Sequence, residues 1–246
     1  MAKKRYILHL IIMTSIALGL FLWRMNQSKQ LITYPSLGIK IPTGYEIHGI
    51  DVSRYQKEID WEQVVKMRDK GQKISFAIIK STEGITLKDP KFDYNWKKSK
   101  ENNIIRGSYF YFHVNRDPER QAQFFIENTK LIAGDLPPII DIEKSHGMSA
   151  DKIKEALKKC IYILEKKYNQ KPIIYTGANF YETFLGNEFS NYPLWVAHYE
   201  QPYAPRINRN WSIWQHNEKG RVNGIRGHVD FNVFNGSHSA LIALCL

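Results

Sequence analysis

Cysteine is scarce in this chain. Cys160 and Cys245 are its only two, too few for the disulfide framework of a small secreted scaffold. Cys160 falls in the apolar stripe Ile153, Leu157, Cys160, Ile161 and Leu164, so it reads as a core thiol. No glycine-rich phosphate loop and no G-x-S-x-G elbow occurs, which removes the common nucleotide-binding and serine-hydrolase signatures. No His-x-x-x-His or comparable ligand spacing is present, so His48, His113, His198 and His228 do not define a metal site, and no cofactor is expected. Blocks of Lys and Arg interleaved with aromatics are also missing, which argues against nucleic acid as a partner. The chain has no internal repeat of fixed period and no low-complexity segment. Finally, the first 30 residues contain no acid, only Lys3, Lys4, Arg5, Arg24 and Lys29.

What is present is the composition of a folded enzyme-sized domain, with 43% hydrophobic and 24% charged residues in a chain of 246. Within the acid-free segment, Tyr6 to Trp23 is an uncharged run of 18 residues behind Lys3-Lys4-Arg5. As a helix it would be about 27 Å long, enough for a thin bilayer, and its basic flank would keep that end in the cytoplasm. Residues 1–30 are therefore expected to be a signal anchor, with the rest of the chain outside the cytoplasm, at the periplasm or cell surface. Cleavage as a signal peptide near Ala17-Leu18-Gly19, releasing a secreted protein, is the alternative. Pro35, Gly38, Pro42 and Gly44 punctuate an expected linker over residues 31–45, and 46–246 are expected to form the main folded domain. Of the formal charge of +11, the first 30 residues contribute +5, and the remaining +6 favours anionic polymers such as cell-wall glycans.

From residue 46 the pattern alternates strand and helix. Strands are expected at 46–53, 74–81, 104–114, 137–143 and 171–176, separated by helical patterns. Asp60 with Gln63 forms a capping box, and Asp117-Pro118 a cap followed by proline at the first helical position. Past residue 187 the helical patterns stop, and 193–200, 210–217 and 227–236 read as plain strands. Five β/α units and three strands predict an α/β protein, an irregular TIM-like barrel, with catalytic groups gathered at the C-terminal strand ends.

Four acids then fall at or near strand ends: Asp51 on the first strand, Asp141 and Glu143 on the fourth, and Asp230 on the last. First and last strands are neighbours in a closed barrel, so Asp51 and Asp230 can meet across the seam. Alternation of side chains puts Asp141 and Glu143 on one face, about 7 Å apart along the strand. Crowded carboxylates raise at least one pKa, and a protonated acid beside ionised ones is what cleavage of a glycosidic bond requires. Glu143, the longer and outermost side chain, is the expected proton donor, and Asp141 the group that stabilises developing positive charge. Their shared face favours retention through the substrate's own acetamido group over direct attack by Asp141. Tyr109, Tyr111, Tyr175, Trp195, Tyr199 and Trp214 lie on strands that would line the mouth, where aromatic rings stack on sugars.

With these residues in place, the chain resembles family 25 of the glycoside hydrolases, the muramidase-type lysozymes. The segments "HGIDVSRYQKEIDWEQV", "FAIIKSTEG", "GSYFYFH", "PPIIDIE", "LWVAHY", "WSIWQH" and "HVDFNVF" follow in the family's order over residues 46–236. Lys57 stands where glycine is common, and the aromatics of "SYFYFHV" depart from the family's Tyr-His-Phe order. The resemblance implies hydrolysis of the β-1,4 bond between N-acetylmuramic acid and N-acetylglucosamine in peptidoglycan. It also implies that Glu143 matches the family's acid, Asp141 its partner, and Asp51 and Asp230 its remaining acids. A glycan-binding barrel without turnover, and a hydrolase of another N-acetylated polymer such as chitin, are the alternatives.

Overall fold

The structure is a computed structural model that describes residue 9, residues 12–20 and residues 31–246. Its centre is a closed barrel of eight strands, β3 (Ile47–Val52), β4 (Ile74–Glu83), β6 (Ile105–Tyr111), β7 (Ile139–Asp141), β8 (Ile173–Gly177), β9 (Leu194–Ala197), β10 (Ile213–Gly220) and β11 (Val229–Phe234). The order around the barrel is β3-β11-β10-β9-β8-β7-β6-β4, with β3 and β4 pairing to close it. A short strand β5 (Leu87–Lys88) folds back on the end of β4.

Two expectations are corrected here. The barrel is not of the TIM type, in which every strand is parallel: β11 runs antiparallel to both β10 and β3. Residues 221–228 are the reason, because a connection that short returns the chain beside β10 but cannot make a parallel crossover. The helices are few. Trp61–Lys66, Phe92–Glu101, Pro118–Asn128 and Ala150–Tyr168 follow the earlier strands, β8 leads only into short turns over 178–189, and His238–Leu244 ends the chain. Nor, among the described residues, is any helix long and apolar enough to cross a membrane. Of the expected span Tyr6–Trp23, only residue 9 and residues 12–20 are described, the latter as helix, and about 14 Å of helix falls short of a bilayer core of about 30 Å. The rest of that span lies outside the described residues.

Alternation along the strands divides the core in two. Ile47, Phe76, Ile78, Ile139, Ile173, Tyr175, Trp195, Ile213 and Phe234 point inward and fill the barrel, with Leu241 of the C-terminal helix among them. Gly49 leaves room inside for the Phe76 ring, which an added Cβ would meet at 2.4 Å. Outward residues, including Ile50, Ile79, Phe110, Ile140, Ile174, Val196, Trp214 and Phe231, pack beneath the helices in a second cluster. Within residues 31–45, β1 (Leu31–Tyr34) and β2 (Ile39–Pro42) form an antiparallel hairpin, and Tyr34, Leu37, Ile39 and Ile41 join that outer cluster.

One buried ion pair fastens the outer layer. Arg106 of β6 donates from Nε to Asp135 Oδ1 at 2.7 Å and from Nη2 to Oδ2 at 3.2 Å, its guanidinium lying 3.7 Å from the Trp96 ring centroid. Asp135 also accepts from the Ile132 N–H. Both side chains are buried, so removing one partner strands a charge. Asp135→Ala is expected to cost about 3–5 kcal/mol in a urea melt, whereas joint replacement of Arg106 by Met and Asp135 by Leu costs much less. An Asp135→Ala loss below about 1 kcal/mol would show that the pair is not desolvated.

Candidate active site

The C-terminal strand ends open on a mouth that collects the acids. Asp51 and Asp230 are paired across the seam, directly opposite in the β3–β11 register. Asp51 is buried, and its Oδ2 accepts from Gln215 Nε2 at 2.9 Å and Asn232 Nδ2 at 2.7 Å. Those amides are themselves held. Tyr175 and Tyr199 donate their hydroxyls to Gln215 Oε1 at 2.8 and 2.7 Å, and Trp195 Nε1 donates to Asn232 Oδ1 at 2.7 Å. The chain of donors runs from three aromatic side chains through two amides to one carboxylate, leaving each member satisfied.

Burial raises the pKa of Asp51, and hydrogen bonds from Asn232 and Gln215 act against that rise. Asp230 is raised further, by burial first and then by Asp51. Because the two amide N–H groups favour an ionised Asp51, the pair holds its shared proton on Asp230. Asp141, the last residue of β7, is buried and well above the usual carboxylate range, through burial and then the neighbouring Glu143, with Lys80 pulling the other way. Asp141 Oδ1 has no hydrogen-bond partner among the described residues. Glu143 lies two residues past β7 and is exposed to solvent at the rim.

Tyr109, Tyr111, Tyr175 and Tyr199 share this end of the barrel. Burial lifts all four phenols above their ordinary pKa, with nearby mouth carboxylates adding to it, so each remains a neutral hydroxyl. The two tryptophans are a correction. Trp195 is 1% exposed and fills the barrel interior between Tyr109 and Tyr175, and Trp214 is 0% exposed on the outer face, against Tyr45, Trp211 and His216. Neither offers a ring face to a sugar.

The sequence reading missed Gln215 and Asn232, and also a charged cluster at the end of β4. Lys80 donates to Glu83 Oε2 at 2.8 Å and lies over the Tyr111 ring, while His113 Nε2 stands 3.4 Å from Glu83 Oε1. Burial works against Glu83 ionising, but Lys80 and then His113 hold it below its ordinary value. A signal for Asn232 existed: it is two residues from Asp230 and so shares its face. Of the histidines weighed as ligands, His48 is buried on the outer face, His198 Nδ1 accepts from the Arg206 N–H, and His228 Nδ1 contacts Lys219 O. Among the described residues no group of three or more His, Cys, Asp or Glu is arranged to hold a metal ion.

A barrel mouth with a solvent-facing carboxyl group, a buried one beside it and a proton-sharing pair across the seam has the features of a glycosidase site. Comparison with known proteins places the chain within that class. The model for glycosyl hydrolases family 25 matches residues 50–225. The uncharacterized protein YegX of Escherichia coli K12 is 46% identical over 208 residues, covering 85% of this chain and 76% of YegX. Lysozyme M1 of Streptomyces globisporus is 33% identical over 213 residues, covering 80% of this chain and 71% of its own. A family 25 glycosyl hydrolase from Bacillus anthracis superposes with a TM-score of 0.75 at 30% identity, covering 82% of this chain and 94% of that one. The chain belongs to glycoside hydrolase family 25 and is a glycoside hydrolase.

The Asp51–Asp230 pair sets a pH dependence of stability. Asp230 keeps its proton in the folded protein at pH values where the unfolded chain has released it. The folded state then binds more protons, and unfolding free energy falls as pH rises above the ordinary carboxylate range. Asp230→Asn keeps a donor beside Asp51 and removes the titration. Its melting temperature is expected to change less than the parent's from about pH 5 to about pH 8, with the fold retained and activity reduced. Parallel melting curves for the two proteins would instead mean that Asp230 ionises normally.

Proposed function

We propose that residues 46–246 form a muramidase, which hydrolyses the β-1,4 bond between N-acetylmuramic acid and N-acetylglucosamine in peptidoglycan, and that it works outside the cytoplasm, where that polymer lies. The observation that carries the reading is the contrast between adjacent carboxyl groups: Glu143 reaches solvent at the rim, while Asp141 is buried with Oδ1 unpartnered. The relation to Lysozyme M1 supports the choice of polymer.

Glu143 is the general acid. It is the exposed one of the four acids, since Asp51 is held by two amides, Asp141 is enclosed and Asp230 is paired with Asp51 across the seam. As the glycosidic bond breaks, Glu143 gives its proton to the departing oxygen and positive charge develops at the anomeric carbon. The 2-acetamido oxygen of the muramic residue closes on that carbon from the opposite side. The acetamido N–H donates to Asp141 Oδ1, an atom otherwise buried without a partner among the described residues, and so favours the ionised Asp141 over the neutral form that burial favours; that carboxylate offsets the charge of the cyclised species. Water then opens the ring, activated by the Glu143 carboxylate, and the configuration is retained. The four tyrosines supply neutral hydroxyls and ring edges to orient the sugars.

Glu143→Gln is expected to lower turnover by about 10²–10⁴-fold with glycan binding preserved, because the amide is nearly isosteric but holds no transferable proton. A variant with half the parent's rate would take Glu143 out of the mechanism. Glycan lacking the N-acetyl group on its muramic residues should resist cleavage. Mass-spectrometric trapping of a glycosyl adduct on Asp141, Asp51 or Asp230 would replace substrate assistance with an enzymic nucleophile.

A further inference from the structure

The end of the barrel opposite the acids carries a second built depression. A cavity of about 720 Å³ opens at the N-terminal ends of β8, β9 and β10, bordered by Asn169 and Lys171 before β8, Asn191 and Tyr192 before β9, and Asn210 and Trp211 before β10. Its size falls within the usual range for ligand sites, about 300–1,000 Å³.

Arg209 fixes the walls. Its Nη1 donates to Tyr181 Oη at 3.1 Å and Phe189 O at 3.0 Å, its Nη2 to Tyr192 O at 2.6 Å and its Nε to Asn210 O at 2.7 Å. One guanidinium therefore ties together the loops that carry Asn191, Tyr192 and Asn210, and the depression keeps its shape without a ligand. Lys171 donates to Asn191 O at 3.2 Å and lies 5.5 Å from the centroid of the Tyr192 ring. Both cations are thus engaged with protein groups, so the chemistry is not that of an anion site.

Besides the Glu165 carboxylate, which accepts a hydrogen bond from Tyr192, and the hydroxyls of Ser190 and Ser212, what the lining offers a ligand is amide and aromatic. The side-chain amides of Asn169, Asn191 and Asn210 make no hydrogen bond within the described protein, although the backbone carbonyls of the last two do. Each amide offers both donor and acceptor, which matches hydroxyl and acetamido groups. Trp211, half-buried against Tyr45 and Trp214, supplies the indole on which the apolar face of a sugar can lie. A peptide would call for apolar side-chain pockets, and Pro193 and Leu244 are the only aliphatic groups of the lining.

We propose that this depression is a second saccharide site, binding an N-acetylated glycan strand of the wall while the mouth at the other end works on another. The identity of the polymer rests on the muramidase reading. A second contact raises the effective concentration of the enzyme at an insoluble polymer without altering the chemistry.

The test uses the full chain carrying Glu143→Gln, with and without Asn191→Ala and Asn210→Ala together, in co-sedimentation with purified peptidoglycan sacculi and with peptide-free glycan strands. Loss of two hydrogen bonds of about 1 kcal/mol each predicts binding weakened by roughly tenfold or more on both polymers. With Glu143 intact, the double amide variant should hydrolyse sacculi more slowly but a soluble glycan fragment at the parent rate. Unchanged binding to both polymers would overturn the proposal. So would weakening confined to sacculi that keep their stem peptides, which would point to a peptide site. If the parent hydrolysed no peptidoglycan at all, the muramidase reading would fail, yet the binding comparison would still decide this site.

Discussion

The protein depends on keeping carboxyl groups at the end of a barrel that is otherwise closed with apolar side chains. Asp51 is the extreme case, buried and surrounded by strands whose inward neighbours are isoleucine, phenylalanine and tryptophan. An isolated carboxylate there would lose far more hydration than the fold can offset. The amides of Gln215 and Asn232 replace that hydration, and Tyr175, Tyr199 and Trp195 fix the amides in turn. The same aromatic side chains that pack the barrel thereby orient its chemistry.

Other features follow from that constraint. Asp230 faces Asp51 because β11 runs antiparallel to β3 and returns an acid to the same level of the barrel. A parallel eighth strand would have arrived from the opposite end. The departure from an all-parallel barrel is therefore part of the site: the short connection at residues 221–228 permits the antiparallel return, and the return brings the second carboxyl group. Asp141 is controlled differently, with no amide donors among the described residues but with Lys80 near enough to oppose the effect of burial and of Glu143. Two buried acids a few residues from the rim thus have different electrostatic surroundings, as division of labour in a glycosidase requires.

Much of this was legible in the sequence because strand alternation is a strong local signal. Each of the eight expected strand segments overlaps one barrel strand, with β4, β8 and β10 running past the expected end, and the parity that aligns Asp141 with Glu143 is the parity of β7, where Ile139 and Asp141 face in and Ile140 faces out. Parity failed where both faces of a strand are buried. In β10, Ile213 and Gln215 face inward while Trp214 and His216 face outward, yet all four are buried, so nothing in the pattern marks Trp214 as remote from the mouth. Barrel type was open to the same reading but was missed, since the expected strands 210–217 and 227–236 leave only residues 218–226 between them, too few for a parallel crossover. The apolar run behind Lys3-Lys4-Arg5 suggested a span by length alone, but helix length among the described residues does not provide one.

The central claim is that the mouth defined by Glu143, Asp141, Asp51 and Asp230 cuts one particular bond of the wall polymer. Digestion of purified peptidoglycan, followed by borohydride reduction and identification of the newly reduced sugar, tests it most directly. The account predicts muramic acid at the new reducing ends. New ends carrying glucosamine, or no new ends despite retained binding, would contradict it.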